Sequence, residues 1–364
     1  MKNQDAQTLG CLQAVRAIAA WMVVFHHYMQ GFHSFQSTSV IGRFFSKTGS
    51  FGVDIFFVLS GFIMVYILSY RPRQAGQFYL RRILRIVPVY WALTLLFIPI
   101  LALFPTSLSH YLGWDLSSLA LSLLFVPHDN PGDLGFYPLL TVGWTLNIEI
   151  FFYTWLSLML LVFKKFWFAA TVGTLAIFPM IWSSEWPYAL VAGSSRIYEF
   201  VLGMVIAWGY VRLGATLTIS NAKAAALSVL FGALGIVTYS YIECCEHLTL
   251  IERPDRLHKY ASAAFFVLSA LALNRFYQNN RFLRPLTRLG DMSYSTYLAH
   301  PLALIIALSV LGGSPSSTVD ELLAFSVYTS LTLGFSMLSY RWIETGGISS
   351  VLRRFLIRPE EKRP

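Results

Sequence analysis

Charged residues and cysteines are scarce in this sequence of 364 residues. Only 12% of positions are Asp, Glu, Lys or Arg, whereas 56% are hydrophobic and the mean hydropathy is +0.58. Such a composition excludes an ordinary soluble globular protein and predicts a polytopic membrane protein. The three cysteines, Cys11, Cys244 and Cys245, cannot form a disulfide framework, and no Cys/His spacing fits a structural zinc site. Neither redox nor metal chemistry is therefore indicated.

Long apolar runs bounded by charged or turn residues predict ten membrane spans. They lie at 9–30, 51–70, 86–104, 144–163, 166–182, 197–208, 224–241, 260–274, 292–311 and 322–340. The run at 116–126 is too short to cross a bilayer and is expected at the outer interface or as a re-entrant piece. Because the start of the chain is too polar for a secretory signal, the first run is expected to be retained. The sequence predicts an all-α, polytopic membrane bundle that forms one integral domain, residues 1–364.

The distribution of positive charge predicts the orientation of this bundle. An even number of spans places both termini on one side of the membrane. With cytoplasmic termini, the inner segments hold 20 of the 27 Lys and Arg residues, the outer segments hold six, and Arg16 lies within a span. This bias predicts that both termini are cytoplasmic. It also accounts for the net charge of +9, so nucleic-acid binding need not be invoked.

Arg16 and His27 are ionisable residues inside the first predicted span. An eleven-residue step returns to within about 20° of its starting direction on a helix, so both side chains belong to one stripe. They lie about 16 Å apart along the helix axis, at different depths of the membrane. Ionisable residues at membrane depth indicate a functional site. The alternative is that Arg16 snorkels to the headgroups and His27 hydrogen-bonds to a neighbouring helix.

Other charged residues lie near the outer ends of predicted spans. A carboxylate at Glu149 could orient an imidazole or form an ion pair. Arg196 and Glu199, three residues apart on one helix, are expected to satisfy each other. Asp54 lies close to the start of the second span and is expected to cap its helix.

An inner loop rich in arginine precedes the third predicted span. Arg82 and Arg85 are three residues apart, so on a helical turn their guanidiniums converge at the mouth of the span. That spacing suits bidentate binding of a phosphate. The alternative is that these residues anchor the loop to anionic lipid, as basic juxtamembrane clusters commonly do.

Six sequence motifs, in order along nearly the whole chain, resemble those of the membrane acyltransferase 3 family. The first combines the segment 12–20 with the histidines at 26 and 27, and the others are GVDIFFVLSGF at 52–62, FYLRRILRIVPVYW at 78–91, WTLNIEIFFY at 144–153, RIYEFVLG at 196–203 and SYSTYLAH at 293–300. Any one of these motifs alone would be weak. Together and in order they make the resemblance specific.

The resemblance implies a ten-span enzyme that O-acetylates sugars of the bacterial envelope with acetyl-CoA from the cytoplasm. It implies that Arg16 and His27 are the signature pair of the first helix, and that Arg82 and Arg85 are the cytoplasmic arginine pair on the CoA side. Some relatives carry an added extracytoplasmic domain, whereas this sequence stops shortly after its tenth span. The expected substrate is therefore an exopolysaccharide or its lipid-linked precursor at the inner membrane, although the family also includes short members that modify O-antigens or nodulation factors.

The residue chemistry suits such a transfer. A histidine can take the proton of a sugar hydroxyl as it attacks a thioester, or can carry the acyl group itself, and His27 is expected in one of these roles. Arg16 would bind phosphopantetheine oxygens or polarise the thioester carbonyl. Glu149 is predicted to orient the His27 imidazole, and His300 to serve a deeper channel for the donor. His26 points about 100° away from His27 and is expected only to pack or hydrogen-bond.

Two other functions compete with acetyl transfer. A transporter or flippase of polysaccharide intermediates would favour discontinuous helices and repeated halves, and the sequence has neither. A scaffold for a polysaccharide assembly complex would leave the ionisable residues within the spans without a purpose. The expected partners are acetyl-CoA, a polysaccharide or lipid-linked oligosaccharide acceptor, and membrane lipid.

Overall fold

The computed structural model describes residues 9–71, 74–106, 113–181, 191–214, 220–245, 255–274 and 283–347, with positions 351 and 356. The described residues form helices and connecting loops, without a strand. The α-helices are α1 Gly10–His33, α2 Val40–Thr48, α3 Phe51–Tyr70, α4 Ala75–Leu103, α5 Leu116–Leu123, α6 Trp144–Phe163, α7 Trp167–Ile181, α8 Ile197–Gly214, α9 Asn221–Cys245, α10 Asp255–Ala272, α11 Arg284–Asp291, α12 Ser293–Leu311 and α13 Thr318–Ser339. A π-helical turn, Tyr340–Glu344, continues α13.

Each of the ten predicted spans falls on one of these helices, and the largest difference is at α4. The sequence predicts a span at 86–104, whereas α4 begins at Ala75. The intervening residues are mostly leucine, isoleucine and arginine, which favour the helix, so the basic segment is helical as well. Arg82 and Arg85 consequently lie inside α4, on a rigid element that fixes their positions relative to each other.

Six segments of the described chain are long and apolar enough to cross a membrane: Phe51–Tyr70, Ala75–Leu103, Thr141–Ile181, Asn221–Ser240, Ser293–Leu311 and Thr318–Glu344. Helix α1 is not among them; Arg16, His26 and His27 make it more polar. Both chain ends, 1–8 and all but two positions of 348–364, lie outside the described residues. The count of ten spans and the cytoplasmic termini therefore stay predictions.

Helices α1, α3 and α12 form the centre of the bundle. Helix α3 packs mainly on α8 and α1, and α1 packs along α11, α12 and α3. Helices α3 and α8 approach most closely at Gly61 and Gly203, where an added Cβ would collide with the backbone at Phe200 and Val58. Small residues are needed wherever two helix backbones come this close. This tight crossing holds α3 in place beside the functional residues of α1 and α12.

Large apolar side chains point outward on the peripheral helices. Val229 of α9 is 72% exposed, Leu161 of α6 is 64% exposed and Leu322 of α13 is 62% exposed. Many exposed apolar side chains of this size are costly in water but are covered by acyl chains in a bilayer. The centre and the periphery thus have the burial expected of a multi-pass membrane protein.

The short apolar run predicted at 116–126 forms α5, a helix of only eight residues. Asp115 caps it by accepting a hydrogen bond from the backbone N–H of Ser118 at 2.6 Å. This bond, aided by the Ser117 hydroxyl, lowers the pKa of the Asp115 carboxyl. The indole N–H of Trp91 donates to the carbonyl oxygen of Leu123 at 2.8 Å, which attaches the end of α5 to α4.

Candidate active site

An elongated cavity lies between α1, α3, α4, α6 and α12. Its empty volume is about 760 Å³, which includes the space where the cavity opens to the outside. Along α6 it extends from Thr145 to Tyr153, which is about 12 Å of helix, and along α3 from Val53 to Met64, which is about 16 Å. Its lining residues are Arg16, Val53, Phe56, Phe57, Leu59, Ser60, Ile63, Met64, Arg82, Arg85, Ile86, Thr145, Leu146, Glu149, Tyr153, Tyr294 and Tyr297.

One end of this cavity, the arginine end, is lined by Arg16, Arg82 and Arg85. The Arg16 side chain is 8% exposed and its Nη1 donates to Oε1 of Gln13 at 3.2 Å. Arg82 is also buried, with its guanidinium 5.8 Å from the Phe78 ring centroid. Two arginines from α4 and one from α1 therefore reach one space.

The cavity lining carries more positive than negative charge. Among the described residues, it contains three guanidiniums and a single carboxylate, that of Glu149. Arg16 interacts electrostatically with Arg85, Glu344 and Glu149, and Asp291 interacts with both Arg16 and Arg85, so the cluster also includes two carboxylates outside the lining. Among the residues that line the cavity the guanidiniums still outnumber the carboxylate, which favours an anionic ligand there, and the forked geometry of Arg suits a phosphate.

Glu149 lies with the arginines, on the lining of the cavity. One of its oxygens, Oε1, accepts hydrogen bonds from the Ser60 hydroxyl at 3.1 Å and from the Tyr153 hydroxyl. The prediction that Glu149 orients His27 is wrong, because these two hydroxyls and the Arg16 charge are its partners. The position of Glu149 near one end of α6 predicts its depth in the membrane. It does not predict which neighbouring helix the side chain faces.

The partner of His27 is His300. Nδ1 of His27 lies 2.9 Å from the carbonyl oxygen of Val23 and 3.2 Å from Nε2 of His300. A carbonyl can only accept a hydrogen bond, so the geometry assigns the proton of neutral His27 to Nδ1. The lone pair is then on Nε2, the nitrogen that a base or nucleophile needs. We call these two residues the histidine pair.

The position of His300 corrects a second prediction. The sequence places it deeper in the membrane than His27, on a channel for the donor, yet neither histidine lines the cavity. Helices α1 and α12 run in the same direction from this pair, because Gly31 of α1 faces Leu304 of α12 four residues further along each helix. Parallel packing puts His300 at the level of His27, a relation that the spacing within one helix cannot predict.

Tyr297 connects the cavity with the histidine pair. It lines the cavity, and its ring centroid is 5.9 Å from that of His300 and 6.0 Å from that of Phe56. Its hydroxyl donates to the carbonyl oxygen of Val142 at 3.2 Å and lies 3.2 Å from Oγ1 of Thr145. Phe56, Phe57, Thr145 and Tyr297 thus form the other end of the cavity, which we call the aromatic end.

The remaining predicted residues have structural partners. Nδ1 of His26 is 3.0 Å from the carbonyl oxygen of Phe45 in α2, which confirms its expected hydrogen-bonding role. Nη1 of Arg196 is 2.9 Å from Oδ1 of Asp54 and 3.8 Å from Oε1 of Glu199. The Arg196–Glu199 pair is confirmed, but the prediction that Asp54 caps its helix is wrong. Asp54 is the fourth residue of α3, and its side chain does not cap the helix. It binds the Arg196 guanidinium instead, because a charge-assisted hydrogen bond from a guanidinium is stronger than one from a neutral backbone N–H.

Sequence reasoning missed five hydroxyl-bearing residues of the cavity lining: Ser60, Thr145, Tyr153, Tyr294 and Tyr297. One signal was available, because Tyr153 follows Glu149 by four residues and so shares its helix face. Tyr294 donates to the carbonyl oxygen of Ile86 at 2.8 Å, a contact between distant parts of the chain that no local pattern marks. Within the described residues, no group of three or more His, Cys, Asp or Glu residues is arranged to hold a metal ion.

The chain is similar to known proteins over most of its length. The acyltransferase domain family matches residues 9–341. The exopolysaccharide production protein ExoZ of Rhizobium meliloti is 30% identical over 80% of this chain and 88% of its own length. YrhL of Bacillus subtilis is 26% identical over 98% of this chain and 58% of its own length. The peptidoglycan O-acetyltransferase OatA of Listeria monocytogenes is 24% identical over 92% of this chain and 55% of its own length.

The chain thus spans nearly the whole of ExoZ but little more than half the length of YrhL and OatA. No solved structure matches it.

Proposed function

Since the chain belongs to the acyltransferase domain family, we propose that it transfers an acetyl group from cytoplasmic acetyl-CoA to a carbohydrate hydroxyl. The proposed acceptor is an exopolysaccharide or its lipid-linked precursor at the bacterial inner membrane. The names of ExoZ and OatA support this choice of polysaccharide and acyl group. The observation that carries the proposal is the cavity with three arginines at one end and, beside the other, a histidine pair.

The arginine end is suited to the phosphates of the donor. In the proposal, the guanidiniums of Arg82 and Arg85 bind these phosphates, and Arg16 binds an oxygen of the phosphopantetheine arm. Glu149 attracts Arg16 through its charge and is itself held by two hydroxyls. Arg16 and His27 are about 16 Å apart along α1, a gap that an extended pantetheine arm has the length to cross.

The histidine pair is suited to proton transfer. In the proposed reaction, Nε2 of His27 accepts the proton of the acceptor hydroxyl while that oxygen attacks the carbonyl carbon of the thioester. A carbon–oxygen bond forms, the carbon–sulfur bond breaks, and the imidazolium gives the proton to the departing sulfur. The Val23 carbonyl and His300 keep the His27 proton on Nδ1, so Nε2 stays available as the base.

The test is transfer of label from acetyl-CoA, labelled in its acetyl group, to lipid-linked oligosaccharides by the purified protein in vesicles. Label is expected in the oligosaccharide, with CoA released in equal amount. Label that stays on the protein when no acceptor is present would instead assign His27 the role of acyl carrier. Movement of the oligosaccharide across the vesicle membrane without any labelling would contradict the proposal and favour a flippase.

A further inference from the structure

Tyr297 has neighbours of two kinds, on opposite sides of its ring. On one side it lines the cavity opposite Phe56, and on the other its ring contacts that of His300. Its exposed fraction is only 7%, so little of the ring is free of neighbours. The ring therefore borders both the space that a donor would fill and the histidine pair.

The Tyr297 ring is fixed in this position. Its hydroxyl is held by the Val142 carbonyl and by Thr145, both near the start of α6. Phe56 packs against the ring edge to face, at an interplanar angle of 67°. A ring held at its tip and along its side cannot move aside without breaking these contacts. The aromatic end of the cavity consequently has a fixed wall.

The cavity also fixes the direction in which a donor lies. A thioester whose phosphates are bound at the arginine end points its acyl group toward the aromatic end, because Arg82 and Arg85 interact with Tyr153, about 12 Å along the helix from Thr145. The reacting carbonyl must stop beside the histidine pair, and the rest of the acyl chain meets the wall formed by Phe56 and Tyr297. Each added methylene then requires volume that these rings already occupy.

We propose that Tyr297, with Phe56 opposite, sets the length of the acyl group that this protein transfers, limiting it to acetyl. The inference rests on the proposed acetyl transfer. Tyr297 is in this view a specificity residue, and it acts through the volume of its ring. The hydroxyl only holds that ring in place.

The test compares acetyl-CoA with butyryl-CoA as donors for the same acceptor. For Tyr297→Leu, the ratio of the butyryl to the acetyl transfer rate is expected to rise about tenfold or more over wild type, the scale of discrimination between chains that differ by a methylene or two. Phe56→Leu is expected to raise the ratio in the same direction, which keeps the test available if Tyr297→Leu folds poorly. Tyr297→Phe, which keeps the ring, is expected to stay near the wild-type ratio.

The matched control is Tyr328→Leu. Tyr328 is a fully buried tyrosine of α13 whose hydroxyl donates to the Val24 carbonyl, and it does not line the cavity. Its loss is expected to leave the ratio unchanged even if less protein folds, because each ratio is measured on one preparation. An unchanged ratio in active Tyr297→Leu and Phe56→Leu would overturn the inference while leaving the proposed function intact. A wild-type protein that transfers neither group would overturn both.

Discussion

The cavity and the histidine pair lie next to each other but consist of different chemistry. At the arginine end of the cavity, three guanidiniums from two helices line one space. In the histidine pair, Nδ1 of His27 lies 3.2 Å from Nε2 of His300 and 2.9 Å from the backbone carbonyl oxygen of Val23. Fixed positive charge binds anions, whereas a neutral imidazole can accept a proton and return it. The comparison separates donor binding from bond making, so variants of the two regions should change different kinetic constants.

The largest expected effect is that of His27→Ala. Removal of the proposed base should lower the turnover number by about 10³-fold, the usual contribution of a positioned acid or base. Binding of acetyl-CoA, measured by equilibrium titration in detergent, should change little because the arginine end is untouched. His26→Ala is the matched control, since His26 bonds to Phe45 and is expected to keep most of the activity. Near wild-type transfer by His27→Ala would refute the assignment.

A smaller effect is expected from His300→Ala. Without His300, the His27 ring keeps its bond to Val23 but loses the neighbour at 3.2 Å that fixes its orientation. Small displacements of a reacting group cost up to about 10²-fold in rate, so turnover should fall by about 10- to 100-fold. The Michaelis constant for acetyl-CoA should stay near the wild-type value. A raised Michaelis constant with normal turnover would restore the original prediction that His300 belongs to the donor channel.

The arginine end should show the opposite pattern. Replacing Arg82 or Arg85 by Lys keeps the charge but removes the fork, and the Michaelis constant for acetyl-CoA should rise about tenfold, the cost of one charged hydrogen bond. Turnover at saturating donor should change little. The control is Arg81→Lys, because Arg81 neighbours Arg82 in sequence but does not line the cavity.

A donor without phosphates sharpens this test. S-acetylpantetheine should react equally with wild type and with Arg82→Lys or Arg85→Lys, since the lost contacts are those to phosphate. If the two Lys variants treated acetyl-CoA as wild type does, Arg82 and Arg85 would be anchors to the membrane surface rather than ligands of the donor.

Much of the helical framework could be predicted from the sequence, and the reason is hydropathy. The predicted spans 51–70 and 144–163 coincide with α3 Phe51–Tyr70 and α6 Trp144–Phe163, because charged or turn residues mark both ends. Helix α4 begins before the predicted span at 86–104 because helix propensity continues through basic residues that a membrane span excludes. Apolar runs thus predict the membrane-spanning part of a helix better than they predict the residue at which the helix begins.

The candidate site was only half predictable. Arg16 could be placed on one face with His27, and Arg82 with Arg85, because each pair lies on one helix. The pairing of His27 with His300 depends on how α1 packs against α12, 273 positions apart in the chain. Spacing within a helix carries no information on such packing. The same limit explains why Glu149 was assigned to His27 and why Tyr297 was not singled out.

The smallest effect on catalysis is expected from Asp54→Asn, which tests a buried charge outside both regions. Asp54 is 5% exposed and binds Arg196, whose side chain is 30% exposed and lies 5.0 Å above the Trp144 ring. Removal of the carboxylate charge leaves Arg196 with Glu199 alone, at 3.8 Å. Loss of one partner of a buried ion pair is costly, but partial exposure of the guanidinium reduces the penalty, so about 2 kcal/mol of stability should be lost.

The measurement for Asp54→Asn is the thermal unfolding midpoint in detergent, followed by intrinsic fluorescence. Asp133→Asn is the control, because Asp133 is exposed and the same charge is removed. The midpoint should fall for Asp54→Asn only, with both kinetic constants per folded protein unchanged. If turnover or the Michaelis constant for the acceptor changed instead, this ion pair would be part of the path of the acceptor. A third functional region, for the acceptor, would then have to be added to the anion-binding cavity and the proton-transferring histidine pair.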